Sequence, residues 1–216
     1  MPADAAKATR RRNPGKPQPR GEHRRHRLLA VLAEHLEHQS LADISVAAVA
    51  EEAGLARSAF YFYFSSKNEA VTHLLGEIFD TQIDEASRVI SRPGDPRVNL
   101  SESLHLAVQS WVTQRRRFLA MLDARDADPE TREIWEAWLR RYEDFVAGYI
   151  DEHRSTAPIP SRELAHSLIS LNALTLERHL RGTGLASAES VHAALEHIWV
   201  NAIYGEPTST IDRSSR

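Results

Sequence analysis

Arg57, Ser58, Ala59, Tyr61, Tyr63 and Lys67 fall within eleven consecutive positions of a 216-residue chain. The chemistry open to them is recognition of a double helix. Reading base edges takes small or polar side chains at the start of an inserted helix, and Arg57, Ser58 and Ala59 occupy such a start. Ala59 has no hydrogen bond to offer, although its methyl can touch a thymine methyl. Fixing register takes donors aimed at phosphates, and Tyr61, Tyr63 and Lys67 are the candidates. Lys67 also begins a helix whose free N–H groups favour anions. Ser45 joins the set as cap of the preceding short helix. Arg24 and Arg25, near the start of the first helix, are further phosphate candidates.

A second set is aromatic. Trp111, Trp135, Trp138, Tyr142 and Phe145 concentrate in two neighbouring helical stretches. Aromatics can line an apolar tunnel or fill a core, and composition alone leans toward core. Asn172 stands in an otherwise apolar run, LISLNALTL. A buried amide needs a partner, which can be a ligand carbonyl, the backbone or a second copy of the chain.

Other chemistries find no footing. With no cysteine, disulfides, thiolate metal sites and cysteine nucleophiles are excluded. His35 and His38 are three apart, but no third ligand is evident and surface histidines fit better. Asp123 to Asp128 lacks the carboxylate spacing and the glycine of a calcium loop. No nucleophile elbow, phosphate loop or HExxH occurs, and Glu133 and Glu136 suit a solvated face. The expectation is a protein that is not an enzyme and uses no cofactor and no metal.

The elements that must position the first set are short and well punctuated. Val46, Val49, Ala50 and Ala53 fall on one face of a helix. Ile44 and Val49 have the spacing of a hydrophobic staple. Gly54 ends the helix, since glycine tolerates the left-handed backbone of a tight stop. Ala56 to Tyr63 forms a second helix, anchored by Phe60 and Phe64 four residues apart. Five of fifteen aromatics sit in Phe60–Phe64, which leaves a strand open, but the caps on both sides favour helix. Ser66-Lys67-Asn68-Glu69 is a capping box that starts a long helix. The unit is a helix-turn-helix.

Around it, periodicity predicts a first helix over 22–38, a long helix over 66–90 and a helix from Pro96 to about Arg116. A short helix over 118–123 follows, then one from Pro129 to about Arg154, and two more over 161–181 and 187–204. Apolar residues on more than one face of the last two suggest self-association through a four-helix interface.

GLARSAFYFYFSSKNEAV, from Gly54 on, resembles the DNA-binding signature of TetR-family transcriptional regulators. The likeness is nearer to the EthR-like branch, on LADISV, the FYFYF run with the SK after it, IDEH at Ile150–His153 and HIWVNAIYGE near the end. It spans about residues 28–206. It implies an all-helical homodimer of about nine helices per chain, with an N-terminal three-helix DNA-binding domain and a larger domain for a hydrophobic effector. It also implies that Trp111, Trp135, Tyr142 and Phe145 line a hydrophobic tunnel and that Asn172 touches its ligand. Trp138 shares the stripe and joins them as a candidate. Ile169 and Leu174 stand where that branch has polar groups, and Ala56 and Ala59 where relatives often have serine or threonine. Ligand and operator can therefore differ.

The expected organisation is a disordered basic arm over 1–21, the helix-turn-helix domain over 22–67, a ligand-binding and dimerisation domain over 68–206 and a disordered tail over 207–216. The formal charge of −3 hides an asymmetry: residues 1–27 carry +7 and the remainder −10. The arm suits polyphosphate, or is simply a solubilising tail. No apolar run reaches the roughly 20 residues that span a bilayer, and no secretory signal opens the chain, so no membrane is expected and the cytoplasm is. Expected partners are an operator in double-stranded DNA, a hydrophobic small-molecule effector and a second copy of the chain. The function is a repressor released by that effector. The alternatives are a sequence-tolerant DNA binder driven by the arm, or an activator.

Overall fold

The computed structural model describes residues 20–154 and 159–205. Nearly all of the expected basic arm, the residues 155–158 and the expected C-terminal tail lie outside it. Among the described residues there are nine α-helices and no strand: α1 Arg20–Leu36, α2 Val46–Glu52, α3 Arg57–Tyr63, α4 Lys67–Ile90, α5 Pro96–Thr113, α6 Arg115–Ala127, α7 Pro129–His153, α8 Ser161–Leu180 and α9 Ala188–Tyr204. The fold is all-α, a helix-turn-helix followed by a helical body.

The first three helices share one small core. Leu28, Leu29, Leu32 and Leu36 of α1 are buried, together with Val49 and Ala50 of α2, Ala53 just past it, and Phe60 and Phe64 around α3. Phe60 and Phe64 pack with ring centroids 5.4 Å apart, which makes the aromatic run helical rather than extended. The turn between α2 and α3 is set by Gly54, at φ 65°. Its N–H donates to the Glu51 carbonyl at 2.8 Å, and the Leu55 N–H reaches the Ala50 carbonyl at 2.8 Å. This double bond pattern closes the helix end with a residue in the left-handed region, and Leu55 tucks back as its apolar partner.

Three local expectations are corrected. The capping residue of α4 is Ser66, whose hydroxyl accepts from the Glu69 N–H at 3.1 Å. The Glu69 carboxylate, however, reaches back to the N–H and hydroxyl of Ser65, at 2.5 and 2.7 Å, one residue before the box position. The helix expected over 118–123 is α6, thirteen residues long, because nothing in RRRFLAMLDARDA breaks a helix before Pro129. Asp128 then ends α6 and caps α7, accepting from the N–H and hydroxyl of Thr131. Those bonds hold its carboxyl below the usual range. Finally, α5 stops at Thr113, with Gln114 as the junction to α6.

In the body, α4 is the central element. It packs against α1, α5, α6 and α7, while α7 lies along α8 and α5 along α9. Phe79 of α4 sits within 6 Å, centroid to centroid, of Phe118, Trp135, Trp138 and Tyr142.

Gly54 tests the turn. Replacing Gly54 with Ala places a Cβ in the left-handed region, which costs about 1–2 kcal/mol. The Cβ would also meet the end of Arg27, which can move aside. Chemical denaturation should show a loss of that size, and an unchanged midpoint would contradict the turn as described.

Candidate nucleic-acid interface and ligand pocket

Burial of Phe60 and Phe64 fixes which side of α3 faces outward. Arg57 and Ser58 are exposed, Tyr61 is 48% exposed and Phe62 is 81% exposed. The Arg57 guanidinium lies over the Tyr61 ring, 5.6 Å from its centroid, so the two present a cation and a hydroxyl side by side. Ala59 and Tyr63 are half-buried at the flanks. Ser45, exposed at the start of α2, has its hydroxyl turned to the Ala48 N–H at 3.5 Å. Arg24 is exposed on α1. Arg25 is half-buried, with its guanidinium over the Phe64 ring at 5.6 Å, so part of its role is to hold α1 against the end of α3.

Phe62 was missed by the sequence reading. Its signal was available: with Phe60 and Phe64 inward at i, i+4, a residue midway between them must point away. A phenylalanine is an odd choice for open water.

Lys67 corrects an expectation. Its ammonium donates to the carbonyls of Leu41, Ala42 and Ile44 at 2.7, 2.9 and 2.9 Å. An ammonium has three protons, and all three are committed. Lys67 fastens the loop between α1 and α2 to the start of α4 and has none left for a phosphate.

The second site is a cavity open at its mouth and lined from α4, α5, α7, α8 and α9. Gln82, Tyr142, Phe145, Ile169, Asn172 and Trp199 are on its wall, and Glu85 is the one charged residue there. The Tyr142 hydroxyl donates to the Gln82 side-chain oxygen at 2.8 Å. Burial pushes that hydroxyl's pKa far up, which leaves it a neutral donor. The Trp199 indole donates to the Asn172 side-chain oxygen at 2.8 Å. Of the expected lining residues, Tyr142, Phe145 and Asn172 are on the wall.

Trp111, Trp135 and Trp138 are not. Trp111 stacks on Phe118 at 4.2 Å and 15°. Trp135 meets Phe79 edge-on and carries Arg125 over its ring. Trp138 tilts against Phe79 and comes so near α4 that a Cβ on Gly76 would lie 2.9 Å from its ring. The stripe 135, 138, 142, 145 was the right face of α7, but seven residues of helix are about 10 Å. At Trp135 and Trp138 the stripe is covered by Phe79, and the cavity wall begins at Tyr142. Gln82 and Trp199 were missed; a glutamine interrupting the apolar spacing of Ile78, Phe79 and Ile83 was the clue.

Neither site holds the parts of a metal centre. Among the described residues no three His, Asp or Glu side chains gather to hold an ion. The His35 ring is bonded at both nitrogens, to Glu52 at 3.0 Å and Gln39 at 2.7 Å.

Comparison with known proteins agrees with this layout. Residues 28–72 match the family model of bacterial regulatory proteins of the tetR family, and residues 100–205 match the C-terminal domain of the transcriptional regulator EthR. The HTH-type transcriptional regulator EthR of Mycolicibacterium smegmatis is 33% identical over 197 residues, 87% of this chain and 89% of the relative. This chain belongs to the TetR family. The EthR of Mycobacterium tuberculosis strain H37Rv is likewise 33% identical, over 88% of this chain and 91% of that protein. TetR-family members of known structure share the fold. FadR of Thermus thermophilus, solved with lauroyl-CoA, superposes with a TM-score of 0.68 at 16% identity, covering 86% of this chain and 96% of that one. NalD of Pseudomonas aeruginosa gives 0.63 at 19% identity, covering 85% and 98%. The chain is a DNA-binding transcriptional regulator, and members of its family are not enzymes.

The Lys67 assignment is open to test without DNA. Lys67→Met leaves three carbonyls without their charged donor and should lower unfolding free energy by about 2 kcal/mol. A residue that served only phosphate would show no such loss in denaturant titration.

Proposed function

We propose that this TetR-family protein is a repressor whose α3 reads an operator and whose cavity takes a hydrophobic effector that releases it. The observation that carries the reading is the outward set on α3: Arg57, Ser58, Tyr61 and Phe62 stand together on one exposed face of a helix anchored from behind by Phe60 and Phe64. In this reading Arg57 and Ser58 meet base edges, Phe62 packs on thymine methyls or sugar, and Tyr61, Tyr63 and Arg24 meet phosphates. Ala59 offers its methyl to the same groove. Ser45 and Arg25 place α2 and α1 alongside.

One seven-residue helix binds weakly, so we infer a homodimer. Leu174 on α8 and Ile198 on α9 are 56% and 40% exposed, which supports pairing through these helices. Two reading helices about 34 Å apart would then reach half-sites one turn apart. The working division is a DNA-binding domain over 22–67 and an effector and dimerisation domain over 68–206, in a protein of the cytoplasm. Among the described residues no helix is long and apolar enough to cross a membrane.

The effector class follows from the cavity wall, which apart from Glu85 is apolar with neutral polar groups. The Asn172 oxygen is taken by Trp199, which leaves its amide N–H groups for a ligand carbonyl. Release requires the ligand to prefer the state whose two reading helices do not fit the operator.

Gel shift on DNA upstream of the protein's own gene, at about 0.15 M salt, tests the reading. A good base contact is worth about 1–3 kcal/mol, so Arg57→Ala should weaken specific binding roughly tenfold or more, and Tyr61→Ala, which removes a phosphate contact that fixes register, should weaken it as well. Deletion of residues 1–21 should weaken binding to all sequences alike. Binding abolished by that deletion, yet indifferent to both substitutions, would favour a sequence-tolerant binder instead.

A further inference from the structure

A chain of polar side chains runs from the cavity wall to the end of α1. It starts at the Tyr142 hydroxyl, which donates to Gln82 on α4. The Gln82 amide N–H donates to the Ser110 hydroxyl oxygen on α5 at 2.7 Å. The same oxygen accepts from the Gln114 amide at 3.1 Å, at the α5–α6 junction. Gln114 in turn accepts from Arg117 of α6 at 3.3 Å. The Arg117 Nε lies 2.9 Å from a carboxylate oxygen of Glu37, just past α1. That last N–H is not aligned on the carboxylate, so the contact is an ion pair rather than a directed bond. Four successive contacts link a half-buried tyrosine to the guanidinium, and a fifth crosses into the helix-turn-helix unit.

The placement of Gln82 is what makes this chain more than a row of satisfied groups. Gln82 is 9% exposed, yet it belongs to the walls of two spaces. One is the ligand cavity. The other is an open hollow among α4, α5 and α6, which Ser110, Gln114 and Arg117 also line. The amide therefore has room to turn on its far side. A ligand oxygen that takes the Tyr142 proton leaves the Gln82 oxygen unpaired. A buried amide with half its bonds lost reorients, and its turning removes one of the two donors from Ser110.

We propose that this relay, Tyr142–Gln82–Ser110–Gln114–Arg117–Glu37, transmits occupancy of the cavity to the DNA-binding unit. The proposal rests on the cavity being the effector site. It assigns coupling to Ser110, Gln114 and Arg117, none of which lines that cavity and none of which faces DNA. These are positioning residues, not contacts for either ligand.

The probe is N-decylacetamide, a neutral alkyl chain with one carbonyl. Operator affinity is measured with and without it, and its own binding is measured by calorimetry. In the wild-type protein it should lower operator affinity about tenfold, within the usual range for linked sites. In Ser110→Ala and Glu37→Gln that ratio should fall below about threefold, with probe binding and probe-free operator affinity near wild type. Ser110→Thr, which keeps the hydroxyl, should restore the ratio. Glu37 lies at the surface, so its variant stays informative if Ser110→Ala folds poorly. Release as complete as wild type in both variants overturns the relay and leaves the effector reading standing. Probe that binds the wild-type protein without loosening the operator, or does not bind at all, overturns the effector reading and the relay with it.

Discussion

The ammonium of Lys67, closed on three carbonyls of the α1–α2 loop, is the contact on which the remaining architecture depends. Lysine is an unfavourable choice for the first residue of a helix, where the backbone dipole is positive. The structure compensates twice. The carbonyls of Leu41, Ala42 and Ile44 surround the charge, and Glu69, in the first turn, supplies the negative charge the helix end favours. The result is a fixed joint. The loop that enters α2, the exit from α3 and the start of α4 meet within one residue's reach. The angle of α3 is therefore inherited by α4.

Because α4 is packed by α1, α5, α6 and α7, it cannot move as an isolated rod. Near α1 it is packed by small residues and leucines, with Ala70, Val71 and Leu75 fully buried. Two turns later Phe79 is enclosed by four aromatic rings. Interiors at this density do not deform continuously. The aromatic cluster thus seals the cavity away from the DNA-reading end, so any influence of a bound molecule must travel as a shift of whole helices or through groups that can exchange partners. The buried polar residues of α4 are two: Thr72 turns its hydroxyl to its own helix, at the Asn68 carbonyl, while Gln82 spends its side chain on neighbouring helices.

The fold was open to sequence reading wherever a local rule decides a local shape. Gly54 announced its turn, Ser45, Pro96 and Pro129 the starts of their helices, and the FYFYF run its two-sided pattern. The inward pair Phe60 and Phe64 also named the outward face bearing Arg57, Ser58 and Tyr61. What failed was long-range. The carbonyls that capture Lys67 lie 23 to 26 residues earlier, and no motif records them. The tryptophans were placed on the correct face but at the wrong height, because periodicity measures angle around a helix and not which neighbour covers each turn. Gln82 and Trp199 were overlooked for the same reason: a cavity is defined by what five helices fail to fill.

The position of α6 gives these pieces a common logic. Near its C-terminal end it is clamped to α8. Arg125 reaches both oxygens of Glu177, at 3.0 and 3.1 Å, and Arg181 returns to Asp123 at 2.9 Å. At its start Arg117 meets Glu37 beyond α1. The helix thus spans from the body's far side to the DNA-reading unit, in parallel with α4. Its two attachments differ in kind. Four charged groups on two helices give the α8 end a network of shared bonds, which is stiffer than any one pair. At the α1 end the polar attachment is the one ion pair of Arg117 with Glu37. When two ends of a rigid rod are held so unequally, a disturbance along it is expressed at the weaker end. In this molecule that end is the one next to the helices that face DNA.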